Sequence, residues 1–139
     1  MLDIAAMRDS TKSDDLQRRL ISFAAQIIAV SAKLPATRQG RHVSGQILRS
    51  GTAPAANYGE ARGAESRSDF VHKLGIVLKE LNETGVWLQI MTETSLISAE
   101  TATSIVAKNE ELSRIIAASL KRSAHLTVDG AELVYFLYG

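Results

Sequence analysis

Apolar residues recur every three or four positions along most of the chain, which is the spacing of helices with one buried face. The first stripe follows Ser13, where a polar cap and two carboxylates, Asp14 and Asp15, favour a helix start. Pro35 ends this helix, because proline cannot continue it. Its stripe consists of Leu16, Leu20, Phe23, Ile27, Val30 and Leu34.

A second helix is predicted from about Thr37 to Gly63, and small residues dominate its second half. Four of them fall at every fourth position on one face: Gly51, Ala55, Gly59 and Gly63. Such a face lets another helix backbone approach closely. Pro54 removes one backbone hydrogen bond, so the helix either kinks there or restarts with Pro54 in its first turn.

A third helix begins at Ser66, a cap with Asp69 three residues later as a variant of the capping box. Its apolar stripe is Phe70, Leu74, Val77, Leu81, Thr84, Leu88 and Met91. Further apolar residues lie off that stripe, namely Val71, Ile76, Leu78, Val86, Trp87 and Ile90. One seam cannot bury so much apolar surface, so we expect a second buried face on this helix.

Ser98 is the predicted cap of a fourth helix, whose inward residues are Ile105, Leu112, Ile116 and Leu120. Four helices joined by short loops predict an all-α, antiparallel up-down-up-down four-helix bundle. We expect an N-terminal extension at 1–12, the bundle at 13–123 and an apolar C-terminal tail at 124–139. Within the tail, 126–130 is typical of a strand entering a turn, and the tail either packs on the bundle, pairs with a neighbouring chain or is an incidental extension.

Composition narrows the class of protein. The chain has 139 residues, 45% of them apolar and 22% charged, which is typical of one globular domain. It has no cysteine, which excludes a disulfide scaffold, a thiolate zinc site and a cysteine nucleophile. No apolar run approaches the roughly 20 residues of a membrane span, and the charged N-terminal residues leave no room for a signal peptide. We therefore expect a soluble cytoplasmic protein.

Signatures of catalysis and of metal or cofactor binding are missing from the sequence. A di-iron site in a four-helix bundle needs Glu-x-x-His pairs, and neither His42, His72 nor His125 follows a glutamate at that spacing. The glycines at 40 and 45 lack the Lys-Ser/Thr and the preceding strand of a phosphate loop. We therefore predict a protein that is not an enzyme and has no metal or cofactor.

The remaining polar residues of the second and third helices support two interpretations. They are Gln46, Arg49, Asn57 and Glu60 on the second helix, with Lys79, Glu80 and Glu83 on the third. The first interpretation is a structural hydrogen-bonded network between helices, in which Lys79 or Arg49 neutralises Glu60. The second is a ligand or partner site.

Charge is distributed unevenly, although 16 basic residues nearly balance 15 acidic ones. Residues 38–67 contain five arginines against two glutamates, a net charge of +3, while 69–111 contain three lysines against seven acids, a net charge of −4. The arginines are Arg38, Arg41, Arg49, Arg62 and Arg67. They are either ordinary solvated charge or a nucleic-acid contact, since arginine makes bidentate bonds to phosphate.

Several segments together resemble a bacterial four-helix-bundle family first noticed in intervening sequences of large-subunit rRNA genes. They are Gln46-Ile-Leu-Arg-Ser50, Pro54-Ala-Ala-Asn-Tyr-Gly-Glu60, Ser66-x-Ser-Asp-Phe70 with Leu74, and Lys79-Glu80-Leu81-x-Glu83-Thr84. The resemblance covers roughly residues 14–123.

The resemblance implies a ring-shaped homo-oligomer, with a pentamer as the expected form, and no catalytic activity. Related proteins are accessory factors of diversity-generating retroelements, in which a basic ring binds reverse transcriptase and nucleic acid. The net charge of +1 departs from that subgroup. Two hypotheses follow: a non-enzymatic oligomeric scaffold with a protein partner, or an accessory ring that binds RNA or DNA through the arginines of helix 2.

Overall fold

The computed structural model describes residues 4–124, with side chains from Ser10 onward. Four helices fill this range: α1 (Ile4–Ala32), α2 (Arg38–Arg62), α3 (Arg67–Glu93) and α4 (Ala99–Ala124). No strand occurs among these residues, which confirms the all-α, four-helix prediction. Apart from Ala124, the predicted tail and its strand-and-turn segment lie outside the described residues.

Three of the four helix starts lie where the sequence predicts them. Thr37 accepts a hydrogen bond from the backbone nitrogen of Gly40 at 3.0 Å and caps α2. Ser66 caps α3 and Ser98 caps α4 in the same way, through bonds of 3.0 and 3.2 Å. Each bond satisfies a backbone donor that the first helical turn leaves free.

The start of α1 differs from the prediction. The helix begins at Ile4, so the predicted cap Ser13 lies inside it. The residues just before Ser13 contain no glycine or proline, and helix formers such as Ala5 and Ala6 lie among them. A serine followed by two carboxylates is therefore compatible with a helix start, but here the residues before it are also helical and the helix begins earlier.

Helix α2 continues through Pro54, so of the two predicted alternatives, a kink or a restart, the helix does not restart there. Pro54 is buried within the 25-residue helix and supplies no backbone donor for the carbonyl of Ser50. Tertiary packing around the proline ring holds the segment helical despite that missing bond. At the other end, Gly63 caps α2 and its backbone nitrogen contacts the carbonyl of Glu60 at 3.1 Å.

Three of the four small residues of α2 lie against α1, namely Gly51, Ala55 and Gly59, whereas Gly63 is exposed and caps the helix. A Cβ atom built on Gly51 would lie 2.6 Å from Cγ2 of Ile27, so only a hydrogen atom fits there. Next to it, Gln17 of α1 donates to the carbonyl of Ala55 at 2.9 Å. The stripe of glycine and alanine thus brings the two backbones close enough for a side chain to reach the opposite main chain.

Helix α3 lies between α2 and α4, and each helix packs chiefly against its neighbours in the chain, while α1 and α4 contact each other little. The predicted stripe of α3 is fully buried except for Phe70, which is half-buried. Of the off-stripe apolar residues, Val71 and Leu78 are buried and Val86 and Ile90 are exposed. The second buried face predicted for α3 therefore exists, and two large apolar side chains remain in contact with solvent.

The inward residues predicted for α4 are all buried, namely Ile105, Leu112, Ile116 and Leu120, so this prediction is confirmed.

Candidate interaction surfaces

Arg49 forms the centre of an ion-pair cluster between α2 and α3. Its Nη1 lies 3.1 Å from a carboxylate oxygen of Glu80, and its Nη2 contacts the carboxylate of Glu83. Glu80 and Glu83 are three residues apart and so share one face of α3. The guanidinium is half exposed, so these ion pairs fix the orientation of two helices more than they add stability.

The other predicted members of the polar network are placed differently. Gln46 and Asn57 are half-buried on α2, Lys79 is exposed on α3, and Glu60 is exposed near the end of α2. Because Glu60 is eleven residues from Arg49, helical geometry separates their backbones by about 16 Å. The ion pairs of Arg49 go to Glu80 and Glu83, and the structure therefore assigns Arg49 different partners from the predicted Glu60.

Two buried polar contacts hold the helices in register, and neither belongs to the predicted polar network. The Thr84 hydroxyl of α3 lies 3.0 Å from the Ser50 hydroxyl of α2 and 2.8 Å from the carbonyl oxygen of Glu80. On the other side of α3, Asn109 donates to the carbonyl of Leu81 at 3.1 Å. Thr84 and Asn109 each occupy a position of an otherwise apolar stripe, and that is the signal by which the sequence could have revealed them.

The five arginines considered for nucleic acid do not form one surface. Arg38 and Arg41 are exposed in the first turn of α2, and Arg41 donates to the carbonyl of Ala36 at 2.6 Å. Arg62 lies at the opposite end of α2, about 36 Å away by the helical rise. Two of the five are neutralised, because Arg49 pairs with the glutamates of α3 and Arg62 pairs with Asp14 of α1. Arg67 is exposed in the first turn of α3.

Five large apolar side chains are exposed among residues 10–124, and they fall into two groups. The first group, which we call the α1–α2 patch, comprises Ile21, Ile28 and Leu48 with 55, 51 and 38% of their surface exposed. Ile21 and Ile28 are seven residues apart, so they lie on one face of α1. Leu48 lies one helical turn before Gly51, the α2 residue that meets Ile27 of α1, and we therefore group it with the two isoleucines.

The second group, which we call the α3 patch, comprises Val86 and Ile90 with 55 and 36% of their surface exposed. Ile90 also lines a groove of about 670 Å³ between the start of α2 and the end of α3, together with His42 and Leu96. The His42 ring meets the Trp87 ring edge-on with centroids 6.0 Å apart. The α3 patch is therefore an apolar surface beside a groove, whereas the α1–α2 patch contains two isoleucines that are about half exposed.

Within the described part of the chain, the structure has no group of three or more histidines, aspartates or glutamates placed to hold a metal ion. None of the helices in 4–124 is both long and apolar enough to cross a membrane.

The chain is similar to known proteins both in sequence and in structure. Residues 13–118 match the family model described as 23S rRNA-intervening sequence protein. The chain is also similar to a protein of unknown function from the S23 ribosomal protein family of Bacteroides thetaiotaomicron VPI-5482, with a crystal structure at 1.70 Å resolution. The two share 37% sequence identity with a TM-score of 0.73, over 76% of this chain and 98% of that chain. No curated protein matches the chain.

Proposed function

Because the chain belongs to the 23S rRNA-intervening sequence protein family, we propose that it acts as a non-enzymatic scaffold that assembles with copies of itself into a ring, with five subunits the expected number. The observation that carries the proposal is the presence of two unlike apolar patches, the α1–α2 patch and the α3 patch. Exposed apolar clusters are typical of protein interaction sites.

Two different patches on one chain favour head-to-tail contact between copies. In such a heterologous interface, one surface of each copy contacts another surface of the next, and the assembly closes into a ring if the rotation permits. The exposed Ile21 and Ile28 of one copy would contact the groove beside Ile90 on the next. A ring formed in this way covers both patches on every copy.

An up-down-up-down order of the helices is part of the proposal, and contacts at opposite ends of α1 and α2 support it. Asp14, in the first half of α1, pairs with Arg62 in the last turn of α2. At the other end, Ser44 of α2 donates to the carbonyl of Ser31, near the end of α1. These pairings are those of neighbouring helices that run in opposite directions.

The test is the solution mass of wild-type and patch variants, measured by light scattering after size exclusion at micromolar concentration. We expect an oligomer for the wild type and monomers for Ile28→Glu and Val86→Glu, since each introduces a charge into one patch. Ala118→Glu, an equally exposed helical site on α4, is the matched control and retains the oligomer. A monomeric wild type would refute the scaffold proposal.

Mixing the two patch variants tests the head-to-tail arrangement itself. Ile28→Glu retains an intact α3 patch and Val86→Glu retains an intact α1–α2 patch, so an equimolar mixture is expected to form heterodimers. If each patch instead contacted the same patch on another copy, each variant would still have one intact patch and would remain a dimer by itself. Circular dichroism of each variant checks that the helices are retained.

A second function, binding of RNA or DNA by the assembled ring, is supported by Arg38, Arg41 and Arg67, which have no carboxylate partner among the described residues. Repetition around a ring would multiply these charges at each end. Phosphate contacts make affinity fall steeply with salt. Titration of generic RNA at low and high salt is therefore the test, and absence of binding at low salt would refute this function.

A further inference from the structure

A cleft at one end of the bundle is the cavity with the most distinctive chemistry. It lies between the first half of α1 and the last turns of α4 and has a volume of about 760 Å³. Its apolar wall includes Leu16, Tyr58, Phe70 and Ile115. The volume falls within the range of about 300–1,000 Å³ typical of small-molecule sites.

The rim of this cleft is cationic. Lys12, Arg19 and Arg122 line it, and Arg67 lines an adjoining cavity of about 450 Å³ that shares Phe70 and Arg122. Two carboxylates moderate this charge: Asp15 also lines the cleft, and Glu111 pairs with Arg19 at 2.5 Å.

Three of the four cations have no ion-pair partner in the part of the chain whose side chains are described. Within residues 10–124, no carboxylate lies within ion-pair distance of Lys12, Arg67 or Arg122. Arg67 and Arg122 are exposed, so water screens their mutual repulsion, and an anion that contacts both is attracted by two positive charges. Arg67 and Arg122 come from different helices, so the fold and not a local run of sequence brings them together.

Phe70 lies where a planar ring could stack. It is half-buried and lines both cavities, and both arginines line the smaller one with it. A forked guanidinium binds phosphate through paired hydrogen bonds, and an aromatic ring stacks on a nucleobase of any sequence. A cation pair beside an aromatic side chain therefore matches a ligand with a phosphate and a flat ring.

We propose that this cleft binds a nucleoside monophosphate group, with Arg67 and Arg122 on the phosphate and Phe70 against the base. The group is either a free nucleotide or the 5′ end of a nucleic-acid strand, since both present the same chemistry. The proposal does not depend on ring assembly, because all the residues come from a single copy of the chain.

The test is a titration of the full-length protein with adenosine monophosphate, in which calorimetry measures the affinity and amide chemical shifts locate the site. We expect shifts at the start of α3 and the end of α4, and an affinity loss of about tenfold or more for Arg67→Gln and for Arg122→Gln, since hydrogen bonds to charged groups are strong. Lys121→Gln is the matched control: this exposed cation adjoins Arg122 on α4 and does not line the cleft. It retains wild-type affinity.

Two further arms examine the base and the source of the ligand. Phe70→Leu is expected to weaken adenosine monophosphate and to leave inorganic phosphate unaffected. If a 5′-phosphorylated oligonucleotide binds more tightly than the free nucleotide and more tightly than the same oligonucleotide without its phosphate, the ligand is a strand end. If the free nucleotide binds more tightly than the phosphorylated oligonucleotide, the ligand is a free nucleotide. Absence of shifts at the cleft would overturn the proposal, as would equal weakening by Lys121→Gln or equal affinity for inorganic phosphate.

Discussion

Substitution of Gly51 by alanine tests whether the contact between α1 and α2 is as close as the structure has it. The new Cβ would lie 2.6 and 2.8 Å from the two γ carbons of Ile27 and 3.0 Å from its Cβ. Ile27 is fully buried and branched at Cβ, so it can neither move into solvent nor change rotamer easily. The clash must therefore push the helices apart.

The magnitude follows from two opposing contributions to the free energy of unfolding. Overpacking a buried site costs about 1–3 kcal/mol, whereas replacing glycine by alanine inside a helix gains about 1 kcal/mol. Gly45 supplies the matched control, because it lies on the same helix and a Cβ added there would meet nothing within 4 Å. The helical gain is common to both variants, so their difference isolates the clash at about 1–3 kcal/mol.

Urea unfolding at a fixed protein concentration measures this difference. With a slope of about 1–3 kcal/mol per molar urea, a gap of about 2 kcal/mol separates the midpoints by about 1 M. In an Ile27→Ala background the two γ carbons are gone and only the 3.0 Å contact with Cβ remains, so Gly51→Ala should destabilise the protein less than it does in the wild type. Equal stabilisation by Gly45→Ala and Gly51→Ala in the wild-type background would refute the close approach of α1 and α2.

The buried polar contacts give two further predictions. Asn109→Asp places a carboxyl group near the carbonyl of Leu81. Burial raises the pKa of a carboxyl group above its value in the unfolded chain. The variant should therefore recover stability as pH falls and lose it as pH rises. Thermal unfolding between pH 4 and 8 checks this, and a pH-independent difference from wild type would contradict it. Thr84→Val leaves the Ser50 hydroxyl unpartnered at a cost of about 1–3 kcal/mol, and adding Ser50→Ala should restore most of that loss; an additive double variant would contradict the pairing.

The helix caps were predictable because each depends on residues within one turn. The hydroxyls of Ser66 and Ser98 each meet a backbone nitrogen three residues later, a contact that needs no other helix. Ser13 has the same local pattern and fails as a start, because the turns before it are also helical. A local signal therefore identifies a permitted start without showing which permitted start the chain uses.

The candidate surfaces were less predictable, because they depend on which helix faces which. The sequence analysis predicted that Arg49 and Glu83 belong to one network. It could not show that the second carboxylate at the Arg49 guanidinium is that of Glu80 and not that of Glu60. The two exposed patches and the cationic cleft combine residues from different helices. Sequence spacing determines the face that a residue occupies on its own helix, and it does not determine the neighbour of that face.

The sequence by itself determined four amphipathic helices, the caps of three of them and the small-residue face of α2, because these depend on spacing along one helix. Only the tertiary structure decided that α2 continues through Pro54, that Arg49 pairs with α3, and that Arg67 and Arg122 lie beside Phe70. The physical reason is that helical periodicity fixes directions around an axis, whereas contacts between helices depend on the rotation and register that close packing of the whole core selects.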